Sequence, residues 1–278
     1  MNKKYSISII FALFLINIFC YYIIFNFLFL KDEVAFLNVG QGDSELIRTK
    51  AGNILIDAGP NNQILFEISK ILPFYDRIID LVIISHPNTD HFNGLFSLLE
   101  HYKIRAVIIN NLDYPGSRYQ NLLKQLKINN VLFLKGENGT KIKWDNNFIS
   151  IISPLNSNNN VNNSSLVALL NLNQKQFLFT GDIESSVEKK IIKYFNQPID
   201  VLKVPHHGSQ TASSEEFLNT LKPKIAVIEV GENNYGQPHP DTLKRLNAVG
   251  AQIFRTDLDG TIQFIFDNNI YQIKKESL

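Results

Sequence analysis

The chain begins with an apolar block and then changes rhythm. From Tyr5 to Leu30, 26 residues pass without an Asp, Glu, Lys or Arg. After Val34, short runs rich in Val, Ile and Phe alternate with stretches whose apolar positions recur every three or four residues. The first pattern predicts strands and the second amphipathic helices. Strands are expected at 34–39, 45–48, 53–56, 79–84, 107–109, 131–134 and 148–152, then at 166–171, 176–179, 201–204, 226–230, 252–254, 261–266 and 270–273. Helices are expected at 64–72, 94–101, 119–126, 187–195, 214–221 and 242–248. Ser214 ahead of Glu215 and Glu216 is a helix-start signal, because its hydroxyl can accept from an unpaired amide of the first turn. Hairpins and strand–helix–strand units both occur, so the fold class is α/β with two mixed sheets, each covered by helices.

The opening block is long enough to be a membrane span, since a helix rising about 1.5 Å per residue crosses a hydrocarbon core of about 30 Å. A cleaved secretory signal has a shorter apolar core of about 7–15 residues and a small-residue cleavage site. Neither trait fits here. Lys3 and Lys4 precede the block, and Lys31, Asp32 and Glu33 follow it. The positive-inside bias then predicts a single-pass protein of the cell membrane, its N-terminus cytoplasmic and the rest extracellular. Residues 1–31 are read as the anchor and 32–278 as one catalytic-sized domain.

Composition narrows the chemistry. The whole chain carries a formal charge of +1 and a single cysteine. Without the first 30 residues, 25 basic and 26 acidic residues remain. Near neutrality leaves no broad electrostatic footprint for nucleic acid, although Lys141 with Lys143, or Lys189, Lys190 and Lys193, could form local patches. One cysteine excludes a disulfide framework and a thiolate zinc finger. A metal site would have to use His, Asp and neutral oxygens. The tract Asn156–Asn163, six of eight residues Asn, is read as a surface loop.

Four clusters carry candidate chemistry. His86-Pro-Asn88-Thr-Asp90-His91 follows a buried strand run, where a loop at a strand's C-terminal end faces a crevice. A lone loop histidine is usually structural; this spaced set offers imidazole and carboxylate ligands together. Thr180-Gly181-Asp182 ends another apolar run, and taken alone it would be an ordinary turn. Lys203-Val-Pro-His206-His207-Gly208-Ser209 adds two adjacent histidines, which cannot both face one side of a strand and are placed in a loop. With an ordinary pKa of about 6.5, one of them suits proton donation. Gln237-Pro-His239-Pro precedes the final helix.

Together the motifs resemble the metallo-β-lactamase superfamily, whose H-x-H-x-D-H signature stands here as His86, Asn88, Asp90 and His91. More narrowly they resemble the hydrolase domain of ComEC-type competence (DNA-uptake) proteins. That likeness runs from Val34 almost to Gln272, through Asn38–Asp43, Ile54–Gly59, Ser165–Val167, Thr180–Asp182, His206–Ser209, Tyr235–Pro240 and Arg255–Asp257.

The resemblance implies a four-layer αβ/βα sandwich and a divalent metal ion, Mn2+ or Zn2+. It also implies hydrolysis of phosphodiesters, with DNA as substrate. The implied ligands are His86, Asn88, Asp90, His91, Asp182 and His239. Asp90 would orient or deprotonate water, Lys203 would stabilise developing charge, and His206 or His207 would protonate the leaving oxygen. Gln41, Asp43, Ser209 and Gln237 would contact substrate, and Asp57 would fix the first loop. The sequence departs from the family at Asn88 and Gln237, where relatives carry His or Asp and His. One firm metal position and a weaker second are therefore expected.

With one apolar span the chain is expected to act beside a separate uptake channel. A weakened or inactive membrane-anchored scaffold of the same fold is the competing expectation.

Overall fold

A computed structural model describes residues 3–28, 30–110, 113–153 and 160–276. Asn156–Asn159 of the asparagine tract lie outside these; Asn160–Asn163 lead into a short 3-10 turn, Asn162–Ser164. The first helix, α1, runs Lys3–Leu28, and its described apolar side chains other than half-buried Ile23 are exposed, Ile10 at 66% and Tyr21 at 72%. Its side chains are described for residues 8–24 and Leu28. Among the described residues no helix is long and apolar enough to cross a membrane. The helix expected here forms; the span remains a proposal.

The first sheet is built from β1 (Glu33–Phe36), β2 (Glu45–Thr49), β3 (Gly52–Ile56), β4 (Ile78–Ile83), β5 (Lys103–Ile109) and β6 (Leu132–Lys135). The second takes β7 (Lys141–Trp144), β8 (Asn147–Ile151), β9 (Ala168–Leu172), β10 (Lys175–Phe179), β11 (Val201–Lys203), β12 (Ile225–Ile228) and β13 (Gln252–Arg255). The chain then returns to the first sheet with the hairpin β14 (Ile262–Asp267) and β15 (Ile270–Lys275). The orders are β15-β14-β1-β2-β3-β4-β5-β6 and β13-β12-β11-β10-β9-β8-β7. Each sheet is antiparallel on one side and parallel on the other, with β3 to β6 and β10 to β13 the parallel groups. Both sheets are mixed, as expected.

Three apolar clusters give the layers. Phe36, Phe177, Phe179, Phe264 and Phe266 fill the space between the sheets, with Phe177 and Phe264 edge to face at 5.3 Å. Each such ring contributes about 1.5–3 kcal/mol on burial. The outer face of the first sheet is covered by α2 (Gln63–Ser69), α4 (Leu95–His101) and α5 (Ser117–Ile128) through Ile64, Leu98 and Leu122. The outer face of the second lies under α6 (Ser185–Ile191), α7 (Glu215–Leu221) and α8 (Pro240–Ala248) through Val187, Phe217 and Leu246. The result is the expected four-layer α/β sandwich.

Two short helices and one strand depart from the expected elements. α3 (Thr89–Phe92) forms inside the histidine motif, and α9 (Thr256–Asp259) follows β13. β7 pairs antiparallel with β8, Ile142 opposite Ile149.

Candidate metal centre

The C-terminal ends of parallel strands from both sheets meet at one edge, which is where open α/β sheets build their crevices. β3 delivers Asp57 and β4 delivers Ser85 and His86, followed by α3 with Asp90 and His91. From the other sheet, β10 delivers Asp182, β11 the turn Pro205–Gly208, and β12 delivers Glu229. The loops are laced together: Thr180 Oγ1 donates to the Lys203 carbonyl at 2.8 Å, and His206 N–H donates to the Gly181 carbonyl at 3.2 Å. Gly42 lets the first loop press on α3, since a Cβ there would lie 2.3 Å from the Asp90 carbonyl oxygen.

One carboxylate oxygen is the focus. Asp182 Oδ2 lies 3.3 Å from His91 Nε2, 3.8 Å from His86 Nε2, 3.8 Å from His207 Nε2 and 3.9 Å from His206 Nε2. Asp90 Oδ2 closes the group at 3.4 Å from His207 Nε2 and 3.7 Å from His91 Nε2. Ligand atoms of Asp90, His91, Asp182 and His207 all fall within 4.8 Å of one another. The adjacent histidines achieve this because both adopt the left-handed region, φ 52° each, so neither follows strand alternation.

The opposite ring nitrogens fix the tautomers. His91 Nδ1 donates to Asp57 Oδ2 at 2.8 Å, and His207 Nδ1 donates to the Glu229 carbonyl at 2.9 Å. Ser85 Oγ donates to Asp57 and so accepts from His86 Nδ1 at 3.0 Å. Each of the three rings thus turns its Nε2 inward. Those three Nε2 atoms are buried and have no hydrogen-bond partner among the described residues.

The charges follow from this crowding. Burial disfavours the charged form of His207, yet Asp182 and Asp43 push its pKa up to about 10. His91 is likewise raised against burial by Asp182, Asp43, Asp57 and Asp90. His86, governed by burial and by the neighbouring His91, is pushed down to about 3. Asp182 is held well below the usual carboxylate range, against its burial, by His91 and His207. Beneath them, burial and the Asp43 carboxylate push Glu229 up to about 8, and Glu45 is raised as well.

Comparison with known proteins places this arrangement. The metallo-beta-lactamase superfamily model matches residues 37–146. "ComE operon protein 3" of Bacillus subtilis is 30% identical over 261 residues, covering 86% of this chain and 34% of that protein. "Recombination protein 2" of Haemophilus influenzae is 28% identical over 250 residues, covering 87% and 30%. The metallo-beta-lactamase fold protein YhfI of Bacillus subtilis superposes with a TM-score of 0.58 at 10% identity, covering 84% of this chain and 99% of that one. Residues 37–146 belong to the metallo-β-lactamase superfamily. Within it the similarity is to ComEC-type competence proteins, and the chain spans about a third of the length of the curated relatives it matches.

Seen as a metallo-β-lactamase site, the donor set suits a divalent cation. Three inward imidazole nitrogens without a hydrogen-bond partner among the described residues converge with two carboxylates, and imidazole with carboxylate accepts Zn2+ or Mn2+. Asp90, His91, Asp182 and His207 would hold the ion. His86 and His206 also approach Asp182 Oδ2, outside that four-residue group. There Asn88 Nδ2 donates to Asn162 Oδ1 at 2.8 Å, and Asn162 Nδ2 lies 3.3 Å from His206 Nε2. The Asn88 and Asn162 amides thus border that second position beside the two imidazoles.

The remaining expected site residues lie around this group, with the exception of His239. Lys203 is fully buried, paired with Asp43, 3.9 Å from Asp182 Oδ1 and donating to the Gly181 carbonyl at 3.1 Å, an arrangement that braces the floor of the site. Its strand, β11, is central and turns this side chain beneath the site. Asp43 is buried with it. His239 is not brought into the cluster: its Nδ1 accepts the Asp241 N–H at 3.2 Å and caps α8. Gln41 Nε2 donates to Gln237 Oε1 at 2.8 Å, and Gln237 Nε2 donates to the His206 carbonyl at 3.2 Å, so this pair props the histidine turn. Ser209 Oγ lies 3.1 Å from Thr211 Oγ1 within its own turn.

Sequence reasoning noted Ser165 within a motif and Asn162 beside it without a contact for either, and passed over Glu229. Ser165 Oγ accepts the Asp182 N–H at 3.1 Å and lies 3.3 Å from His86 Nδ1. The signal for Glu229 was an acid inside the apolar run Ala226–Val230.

Proposed function

We propose that this chain is a membrane-anchored, metal-dependent phosphodiesterase that cleaves DNA outside the cell during DNA uptake. The observation that carries the catalytic part is the four imidazole Nε2 atoms within 3.9 Å of Asp182 Oδ2. A divalent ion of the Mn2+ or Zn2+ type held there supplies Lewis acidity and lowers the pKa of a water toward about 7.

The chain's own residues divide the remaining work. Asp90 is the ligand-set side chain most open to solvent, 34% exposed, and it orients the attacking water and takes its proton. His206, 22% exposed across Asp182, donates a proton to the leaving oxygen. Gln237 and Gln41 hold its turn in place. Lys203 and Asp43 keep the Gly181–Asp182 loop rigid from below.

DNA as substrate is supported by the names of relatives, competence and recombination proteins. A separate uptake channel is the proposed partner. The anchor is supported by α1, most of whose described side chains are apolar and exposed and require a lipid or protein cover. The Lys3 and Lys4 side favours the cytoplasm, which sets the hydrolase domain outside.

A second reading, a weakened scaffold, is favoured by one observation: the Asn88–Asn162 amide pair occupies the border of the second metal position. The deciding experiment supplies the full chain with Mn2+ or Zn2+ and offers single-stranded DNA, bis-p-nitrophenyl phosphate and a chromogenic lactam. Cleavage of the first two, abolished by Asp182→Asn with the fold retained by circular dichroism, supports the enzyme. No turnover beside stoichiometric metal uptake supports the scaffold, and lactam turnover alone would redirect the substrate class.

A further inference from the structure

Next to Asp90 a cleft of about 280 Å3 opens from Asn88 and Asp90 toward Tyr114, Ser117 and Arg118. Two features make it more than a surface dent. Tyr114 is half-buried and braced: a Cβ on Gly116 would stand 2.6 Å from its ring, and it meets Tyr119 edge to face at 6.0 Å. Tyr119 in turn meets Phe92 edge to face at 5.3 Å, and Phe92 adjoins His91 in α3. A column of three rings therefore runs from the metal-bearing helix to the cleft.

Arg118 is held as firmly on the other wall. Its guanidinium lies over the Phe96 ring at 4.2 Å, and its Nε donates to Asn93 Oδ1 at 2.8 Å. Asn93 is the C-terminal cap of α3 and is itself anchored through Nδ2 to the Pro60 carbonyl at 2.6 Å. An aromatic face and a positioned guanidinium, side by side, are what a single nucleotide needs: stacking for its base and a planar cation for its phosphate.

Resting on the phosphodiesterase reading above, we infer that this cleft is a subsite for the nucleotide flanking the scissile phosphate of a single strand, with its base on Tyr114 and its outer phosphate on Arg118. Stacking tolerates any base, so the subsite selects single-stranded over paired nucleic acid and not one sequence over another. Tyr114 and Arg118 are specificity-determining residues; they touch neither Asp182 nor the histidines. Ser117, exposed at the cleft, is free of any demand in this assignment.

Steady-state kinetics of the full chain with Mn2+ test it, using Tyr114→Ala, Tyr114→Phe and Arg118→Gln. Tyr114→Ala and Arg118→Gln should each raise KM for a short oligo(dT) about tenfold. Their kcat should stay near wild type, and hydrolysis of bis-p-nitrophenyl phosphate, which has no flanking nucleotide, should be unchanged. Tyr114→Phe should behave as wild type. Fluorescence anisotropy of labelled oligo(dT) on metal-free protein gives a readout independent of turnover, and should show the same weakening. Unchanged KM and unchanged anisotropy in both variants overturn the subsite, as does an equal loss on both substrates. If wild type cleaves the aryl ester and not oligo(dT), the DNA reading fails, and the anisotropy series alone then decides the cleft.

Discussion

Asp57 Oδ2 accepts the His91 Nδ1 proton at 2.8 Å, and through Ser85 the same carboxylate orients His86. One buried acid thus aims two imidazoles. Asp57→Asn offers an amide in place of the acceptor and should weaken metal binding about 10- to 100-fold. Titration with Mn2+ or Zn2+ followed by isothermal calorimetry reads this. Wild-type affinity in the variant would mean that packing alone aims the rings.

Metal uptake should release protons. Without an ion His91 and His207 are held protonated, His207 with a pKa of about 10, and ligation at Nε2 must displace both protons. While both remain charged in the free protein, affinity should rise about 100-fold per pH unit. Calorimetry in buffers of different ionisation enthalpy counts the protons directly. An affinity independent of pH between 6 and 8 would contradict the charge states assigned here.

Lys203 separates two roles by measurement. If it braces the floor through Asp43, Lys203→Met leaves a buried carboxylate short of its partner and should cost about 3–5 kcal/mol of stability. A denaturant melt reads that loss. If instead kcat collapses while stability is kept, Lys203 acts on the substrate.

Glu229 predicts a pH trend in stability. Its folded pKa of about 8 lies above the ordinary 4.5, so the folded protein keeps a proton that the unfolded chain releases. That contribution is full below the ordinary value and is lost as pH rises through about 8. Glu229→Gln retains an acceptor for the Ser44 N–H, which lies 3.0 Å from Oε1, and needs no proton. It should stabilise by at least about 1 kcal/mol at high pH and by little in mild acid. Thermal melts across pH check it; equal melting shifts at all pH values would disprove this account of Glu229.

The sequence carried most of the architecture because buried strands announce themselves as apolar runs. β7 escaped because Lys141-Ile-Lys-Trp144 is short and half polar, its lysines exposed. α3 escaped because its four residues coincide with the histidine motif, which reads as loop, and no side chain caps it. Within the site, His86, Asp90, His91 and Asp182 were legible from spacing at strand ends. The placing of His207 beside Asp90 was not, since it depends on two consecutive left-handed residues that L side chains seldom adopt. Nor could Lys203 be read as buried: a lysine at a strand end is ordinarily solvated, and only its pairing with buried Asp43 reverses that.

The centre takes His86, Asp90 and His91 from one sheet's edge and Asp182, His206 and His207 from the other's. A cation shared between His91 and His207 would therefore be a rivet through two stacked plates. Loading it should slow the parting of the halves, so unfolding of the entire domain, and not merely local order at the crevice, would report whether the ion is seated.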